Sequence, residues 1–184
     1  MGLITLSDHV HDIVENSIKA GATNIKLIIN ETRDKFEFCV EDNGPGIPEE
    51  ILTRIFDPFY TTRSKKIRKV GLGLPFLKQA TEMTGGFVNL TSKKGVGTTI
   101  KALFFKSHID CQPVGNLVDT IFALLLNQEI NWYIKRCFEN DCYEIDSSTI
   151  EKHLGKINTP SKMKLLGDFL KELEKMLKDG EDNI

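Results

Sequence analysis

No apolar run in the 184-residue chain approaches the ~20 residues that a membrane-crossing helix needs. The opening Met1-Gly2-Leu3-Ile4-Thr5 lacks the basic and apolar segments of a secretory signal, so the expectation is a cytoplasmic protein with no membrane association. Neither sign of charge dominates: 24 Lys and Arg stand against 26 Asp and Glu, a net charge of −2. That balance gives no broad electrostatic reason to expect nucleic acid as a partner. Cysteine is sparse, and Cys39, Cys111, Cys137 and Cys142 include no Cys-x-x-Cys pair. His108 and Cys111 can be drawn with Cys137 and Cys142 as a four-ligand metal site, but the second pair is too loosely spaced for a zinc knuckle. Structural thiols are the expectation. With 40% hydrophobic residues, the chain has core enough for one large domain or for one domain with an appendage.

The most informative stretch is 36–47. Phe36, Phe38 and Val40 alternate with Glu37, Cys39 and Glu41 as in a half-buried strand, which stops on Asp42-Asn43-Gly44-Pro45-Gly46. Glycines on both sides of a proline make a stiff turn with little side-chain bulk, so a flat ligand can approach the backbone. A carboxylate at the lip of that turn only accepts hydrogen bonds, which suits the exocyclic amine of adenine; an ordinary surface turn has the same composition.

Residues 6–20 read as a helix with Leu6, Val10, Ile13, Val14, Ser17 and Ile18 in one apolar stripe. Opposite lie Asp8, Asp12, Glu15, Asn16 and Lys19. Asp12 and Asn16 stand one turn apart and project together, with Lys19 on the next turn. Such a ridge can orient a water, hold a hard cation and meet a phosphate, although a solvated face looks similar. His9 and His11, on the same helix, read as surface residues. Gly21 closes the helix.

Residues 24–31 and 36–42 form a strand pair. Pro48-Glu49-Glu50 then opens a short helix that turns Ile51, Leu52 and Ile55 inward. A long basic loop, residues 58–70, carries five positive charges between Arg63 and Lys69 and runs into Gly71-Leu72-Gly73-Leu74, the start of a helix to about residue 84. Flexible glycines at a helix N-terminus offer N–H groups to an anion, and a basic loop hinged there has the makings of a lid over a polyphosphate. Strands at 87–92 and 98–105 complete two hairpins in one mixed sheet with helices on one face. The expected class is α+β, a two-layer α/β sandwich. Strand order does not follow from these patterns.

In this order, the stretches resemble the ATP-binding domain shared by gyrase, the heat-shock-90 chaperones, histidine kinases and MutL (the GHKL superfamily, Bergerat fold). Asp12-Ile-Val-Glu-Asn16 is similar to its N box, Asp42-Asn-Gly-Pro-Gly46 to its first glycine box, and Phe56-Asp-Pro-Phe59 to its F box. Gly71-Leu-Gly-Leu74 is similar to its second glycine box, and Gly95-Val-Gly-Thr98 to its last strand motif. The wording of the F box and the second glycine box, and Lys19 three residues after Asn16, resemble histidine kinases most. Ala20-Gly21-Ala22-Thr23 looks more like MutL.

The resemblance implies ATP and Mg²⁺ as cofactors. Asn16 would hold the metal and Lys19 would meet phosphate. Asp42 would read the adenine amine with Thr98 in support, and Gly44, Gly46 and Ile47 would let the base approach. Gly71, Leu72, Gly73 and Leu74 would wrap the phosphates; the resemblance does not single out the lid residue that meets the γ-phosphate, for which Arg63 and Lys66 are the candidates. Asp12 stands where relatives carry Glu or Asn and becomes the candidate catalytic base on a shorter arm. The helix pair that bears a histidine kinase's phospho-accepting histidine has no counterpart here, which implies a stand-alone domain.

Residues 1–106 thus form the expected ATP-binding domain, and 107–184 a small C-terminal α/β appendage. The appendage comprises an apolar helix at 116–126, a hairpin turning at Glu139-Asn140-Asp141, a helix capped by Asp146, and an amphipathic helix at 162–178 that packs on the domain or meets a partner. The leading expectation is a phosphotransferase of histidine-kinase type acting in trans on an unidentified protein partner or phospho-acceptor. An ATP-hydrolysing dimerisation clamp and a non-catalytic nucleotide sensor stay open beside it.

Overall fold

The computed structural model describes residues 3–57 and 72–179. Thr5 sets the start of α1 (Leu6–Lys19). Its hydroxyl accepts from the Asp8 N–H at 3.2 Å, and the Asp8 carboxylate accepts from the Thr5 N–H at 2.9 Å, a reciprocal cap that satisfies two otherwise orphaned donors. The chain turns at Gly21, whose φ of 94° suits a residue without Cβ. It continues through β1 (Asn24–Glu31), β2 (Lys35–Asp42), α2 (Glu49–Leu52), α3 (Gly73–Met83), β3 (Phe87–Lys93) and β4 (Gly97–Phe105). The last third supplies α4 (Leu117–Leu125), β5 (Asn131–Phe138), β6 (Asp141–Asp146), α5 (Ser147–Leu154) and α6 (Pro160–Asp179).

The strands form one six-stranded sheet in the order β3-β4-β2-β1-β5-β6, antiparallel except where β5 runs parallel to β1 along its full length. β5 and β6 of the last third therefore extend the sheet built by the preceding strands. Period-two alternation decides which face is covered. Ile25, Leu27 and Ile29 of β1, Phe36, Phe38 and Val40 of β2, Ile100, Ala102 and Phe104 of β4, and Trp132 and Ile134 of β5 are all buried. They join Leu6, Val10, Ile13 and Val14 of α1, Leu77 of α3, Ile121 and Leu124 of α4, and Leu166 and Leu170 of α6 in one core. Each fully buried Val, Leu, Ile or Phe among them contributes about 1.5–3 kcal/mol relative to its exposed state. The opposite face is laced by cross-strand ion pairs, Lys101 with Glu37 at 2.9 Å and Lys135 with Glu144 at 2.8 Å. The two-layer sandwich is as expected.

Three local expectations change. Helix α2 is only one turn long and buries none of its residues, so Ile51, Leu52 and Ile55 do not enter the core. Cys137 and Cys142 are joined as a disulfide rather than standing as separate thiols, which also removes them as metal ligands. His9 is not a surface residue: it is 2% exposed, its ring lies 6.0 Å from that of Phe104, and its Nε2 is 2.8 Å from the Gln112 side-chain oxygen. Gln112 in turn donates to the Leu3 carbonyl at 2.8 Å, so the segment after β4 closes over the start of α1. Among the described residues, the His9 Nδ1 is buried without a partner.

A buried ionic cluster joins the first two thirds of the chain to the last third, at the end of the sheet far from Asp42. Arg136 of β5 is fully buried; its Nη2 donates to Glu31 of β1 at 2.5 Å and to Glu174 of α6 at 3.1 Å, and its Nη1 to the Cys137 carbonyl at 2.6 Å. Lys106 donates to Glu31 at 2.7 Å, and Lys178 lies 3.4 Å from Glu174. Burial and the Glu174 charge push the Tyr143 phenol, 3.4 Å from that carboxylate, far above its ordinary range.

Removing one member strands the others in the core. Glu31→Ala is expected to lower the unfolding free energy by about 3–5 kcal/mol, whereas Glu37→Ala, which loses a more exposed pair, costs about 1 kcal/mol or less; urea titration of both variants checks this. Burial lowers the His9 pKa below its ordinary value, so the folded state holds the ring neutral and the unfolded chain binds its proton more readily. The stabilisation is complete above pH ~6.5 and is lost as pH falls below that value, by about 1.4 kcal/mol per pH unit until the folded pKa is reached. Unfolding measured between pH 7.5 and 5.5 is expected to show stability falling with pH, and His9→Gln to weaken that fall.

Candidate functional site

The elements that end near Asp42 form the site. Asp42 closes β2 opposite Thr98 of β4 and Ile25 of β1. Its Oδ2 accepts from the Ser17 hydroxyl of α1 at 2.6 Å, and its Oδ1 from the Gly44 N–H at 2.8 Å. Two of the roughly four lone-pair positions of the carboxylate are thereby committed to holding it in place, leaving capacity for a ligand donor. Below it is a cavity of about 110 Å³ lined by Ile13, Asn16, Ser17, Ala20, Asp42, Pro45, Gly46, Ile47, Leu74, Thr98 and Ile100. Apolar walls with one aimed carboxylate fit an aromatic base that carries an exocyclic amine.

The floor is tied to the strands by Ser92. Its hydroxyl accepts from the Ile47 N–H at 2.8 Å, and it lies 2.8 Å from the Thr98 hydroxyl and 3.0 Å from the Gly97 carbonyl. Gly46, at φ 67°, needs its missing side chain for packing: a Cβ would stand 2.1 Å from the Lys93 carbonyl oxygen. The turn is thus pressed onto the β3–β4 connection, where the Gly95 N–H donates to the Pro45 carbonyl at 2.7 Å. Asn43 braces the other side, its side-chain oxygen accepting from the Thr23 and Asn24 N–H groups at 2.9 Å each.

At the cavity's far end the N-terminus of α3 meets the polar ridge of α1. The Asn16 amide donates to Asp12 Oδ2 at 3.4 Å. A Cβ on Gly73 would lie 1.8 Å from that Asp12 oxygen and 3.4 Å from the Asn16 amide nitrogen, so only glycine lets the helix start so close. A helix N-terminus, a carboxylate and an amide then share one corner, which suits phosphate together with a cation. Because Asn16 uses its nitrogen toward Asp12, its oxygen is left as a ligand atom of the kind a hard cation takes. Among the described residues no cluster of three or more His, Cys, Asp or Glu stands ready to hold a metal alone. A cation here would draw its remaining ligands from phosphate oxygens and water.

Of the sequence candidates, Asn16, Asp42, Gly46, Ile47, Leu74 and Thr98 line the cavity, Gly44 bonds Asp42, and Asp12 and Gly73 form the corner. Leu72 is the N-cap residue of α3. Lys19 is paired with Glu15 at 3.0 Å and does not line the cavity. Arg63, Lys66 and Gly71 lie outside the described residues. Sequence reasoning missed Ser17, Ser92 and Asn43. The available signal for Ser17 was a lone hydroxyl within an otherwise apolar stripe, which calls for a buried partner.

Residues 4–108 match the family described as histidine kinase-, DNA gyrase B-, and HSP90-like ATPase. The chain is 30% identical over 101 residues to the sensor histidine kinase YvrG of Bacillus subtilis, covering 53% of this chain and 17% of that protein. It is 46% identical over 69 residues to the sensor kinase CckA of Brucella abortus, covering 37% and 7%. It therefore spans less than a fifth of either kinase's length. A crystal structure of the N-terminal domain of a DNA repair protein superposes on 86% of this chain and 58% of its own with a TM-score of 0.58 at 16% identity, a likeness of fold. No described helix is long and apolar enough to cross a membrane. With the motifs in sequence order and their residues gathered around one cavity, the chain belongs to the histidine kinase-, DNA gyrase B- and HSP90-like ATPase family, whose domain binds ATP.

Proposed function

We propose that this protein binds ATP with Mg²⁺ and transfers the γ-phosphoryl group to a side chain of a separate protein. The observation that carries this reading is the corner where Gly73 of α3 lies against Asp12 and Asn16, across the cavity from Asp42. Asp42 and Thr98 would hold the adenine, and the Asn16 side of α1 with the N-terminus of α3 would meet the phosphates. When bound, Mg²⁺ neutralises charge on the phosphate oxygens, held on the protein side by the Asn16 side-chain oxygen. Lys19 would add positive charge near the phosphates, and the same role is proposed for Arg63 and Lys66, which lie outside the described residues.

Asp12 acts at the far end of the phosphates. Its carboxylate accepts a hydrogen bond from the incoming hydroxyl or imidazole and keeps the nucleophile in line, so catalysis is mostly positioning and charge neutralisation. An acceptor from outside is favoured by the histidines near it. His9 is buried against Gln112, and His11, adjacent to Asp12 on one helix, projects in another direction.

Incubation with γ-labelled ATP and candidate acceptor proteins tests the reading. Wild type is expected to label an acceptor, with Asp12→Asn slower by about 10²-fold or more and ATP binding retained. An acid-labile label indicates phosphohistidine. Phosphate release coupled to dimerisation, without transfer, would replace the kinase with a hydrolytic clamp. Binding with neither transfer nor release would leave a nucleotide sensor.

A further inference from the structure

The edge of the sheet remote from the cavity carries chemistry of its own. β5 and β6 pair from Tyr133↔Asp146 to Phe138↔Asp141, with Glu139 and Asn140 between them and Glu139 in the left-handed region at φ 51°. Cys137 faces Cys142 directly in this register; their Cα atoms are 4.1 Å apart, the close approach of a non-hydrogen-bonded pair, and their sulfurs are bonded.

Two features separate this bond from an ordinary structural staple. It joins residues only five apart in sequence, so it constrains the hairpin tip and removes little entropy from the chain as a whole. One side of it is also reachable, since Cys142 is exposed while Cys137 is 7% exposed. The other two thiols are poor competitors: burial raises the pKa of both Cys39 and Cys111, which keeps thiolate scarce.

We propose that Cys137 and Cys142 are a reversible dithiol–disulfide site, exchanging with low-molecular-weight disulfides such as glutathione disulfide, that latches helix α6 to the sheet. In oxidation the Cys142 thiolate attacks the small disulfide, expels one small thiol and forms a mixed disulfide. The Cys137 thiolate then displaces the second small thiol. The protein loses two protons and two electrons, and the small disulfide becomes two thiols; reduction is the reverse.

The latch follows from what flanks the bond. Arg136, beside Cys137, donates to Glu174 of α6 at 3.1 Å, and Tyr143, beside Cys142, lies 3.4 Å from the same carboxylate. The disulfide therefore ties together the strands of two residues that hold Glu174 of α6. β6 is an edge strand paired on one side only, so without the bond no further strand holds its tip closed. The bond shares a cross-strand row with Asn30 and Glu37, whereas Asp42 aligns with Ile25 and Thr98 at the other end of the strands. Nucleotide binding is thus a control, and the proposal does not rest on the phosphotransfer reading.

The test equilibrates the full chain in reduced and oxidised glutathione buffers, then combines alkylation, intact mass and hydrogen exchange. The expected result is two alkylated cysteines after oxidation and four after reduction. Peptides over 139–146 and 170–179 should exchange about tenfold faster in the reduced form, with ATP affinity unchanged. Cys142→Ser should exchange at the reduced rate in both buffers. Four alkylated cysteines in every buffer, equal exchange in the two states, or a Cys142→Ser protein that still responds to redox state at these segments would overturn the proposal.

Discussion

The short hydrogen bond from Ser17 to Asp42 holds the site together, because it fixes a helix to the end of a strand at the point where a ligand must be read. A carboxylate at a strand end would ordinarily turn to water. Here the hydroxyl from α1 at 2.6 Å and the Gly44 N–H at 2.8 Å leave it one orientation, and Ser17, 5% exposed, is itself locked in the helix–sheet interface. The apolar stripe of α1 sets where Ser17 lies, the register of β2 with β4 sets where Asp42 lies, and the cavity is the space left between them.

That linkage also places the reacting end. Asp12 and Asn16 ride on the same rigid helix as Ser17, so in the proposed reading a base held by Asp42 would have its phosphates near them. Gly73 completes the arrangement by letting α3 begin against Asp12 with no side chain between. Gly46 does comparable work below, its absent Cβ letting the turn press against the Lys93 carbonyl. These two glycines are needed for close approach of protein to protein before any ligand arrives.

Much of this was legible in the sequence, for physical reasons. The helical period of α1 and the alternation of β2 are local signals, and each ended on a residue type with a specific backbone role, Gly21 or the Asp42–Gly46 turn. Non-local features were not legible. The parallel pairing of β5 with β1 depends on segments about a hundred residues apart and has no local signature. Arg136 looks like any polar residue of a half-exposed strand until Glu31 and Glu174 arrive from two other elements. His9 was read as exposed because its helical neighbours are polar; Gln112 and Phe104 bury it from outside the helix. The disulfide depends on the register of one hairpin. Its five-residue spacing fits a cross-strand pair only once the two-residue turn is known.

Calorimetric titration of ATP with Mg²⁺ into the wild-type chain and into Asp42→Asn tests the central claim most directly, since the substitution keeps the shape of residue 42 and removes its charge. The expected result is saturable one-to-one binding to the wild type and affinity lower by about 10- to 100-fold in a variant that stays folded. Negligible binding to the folded wild type, or equal affinity in the two proteins, would contradict it.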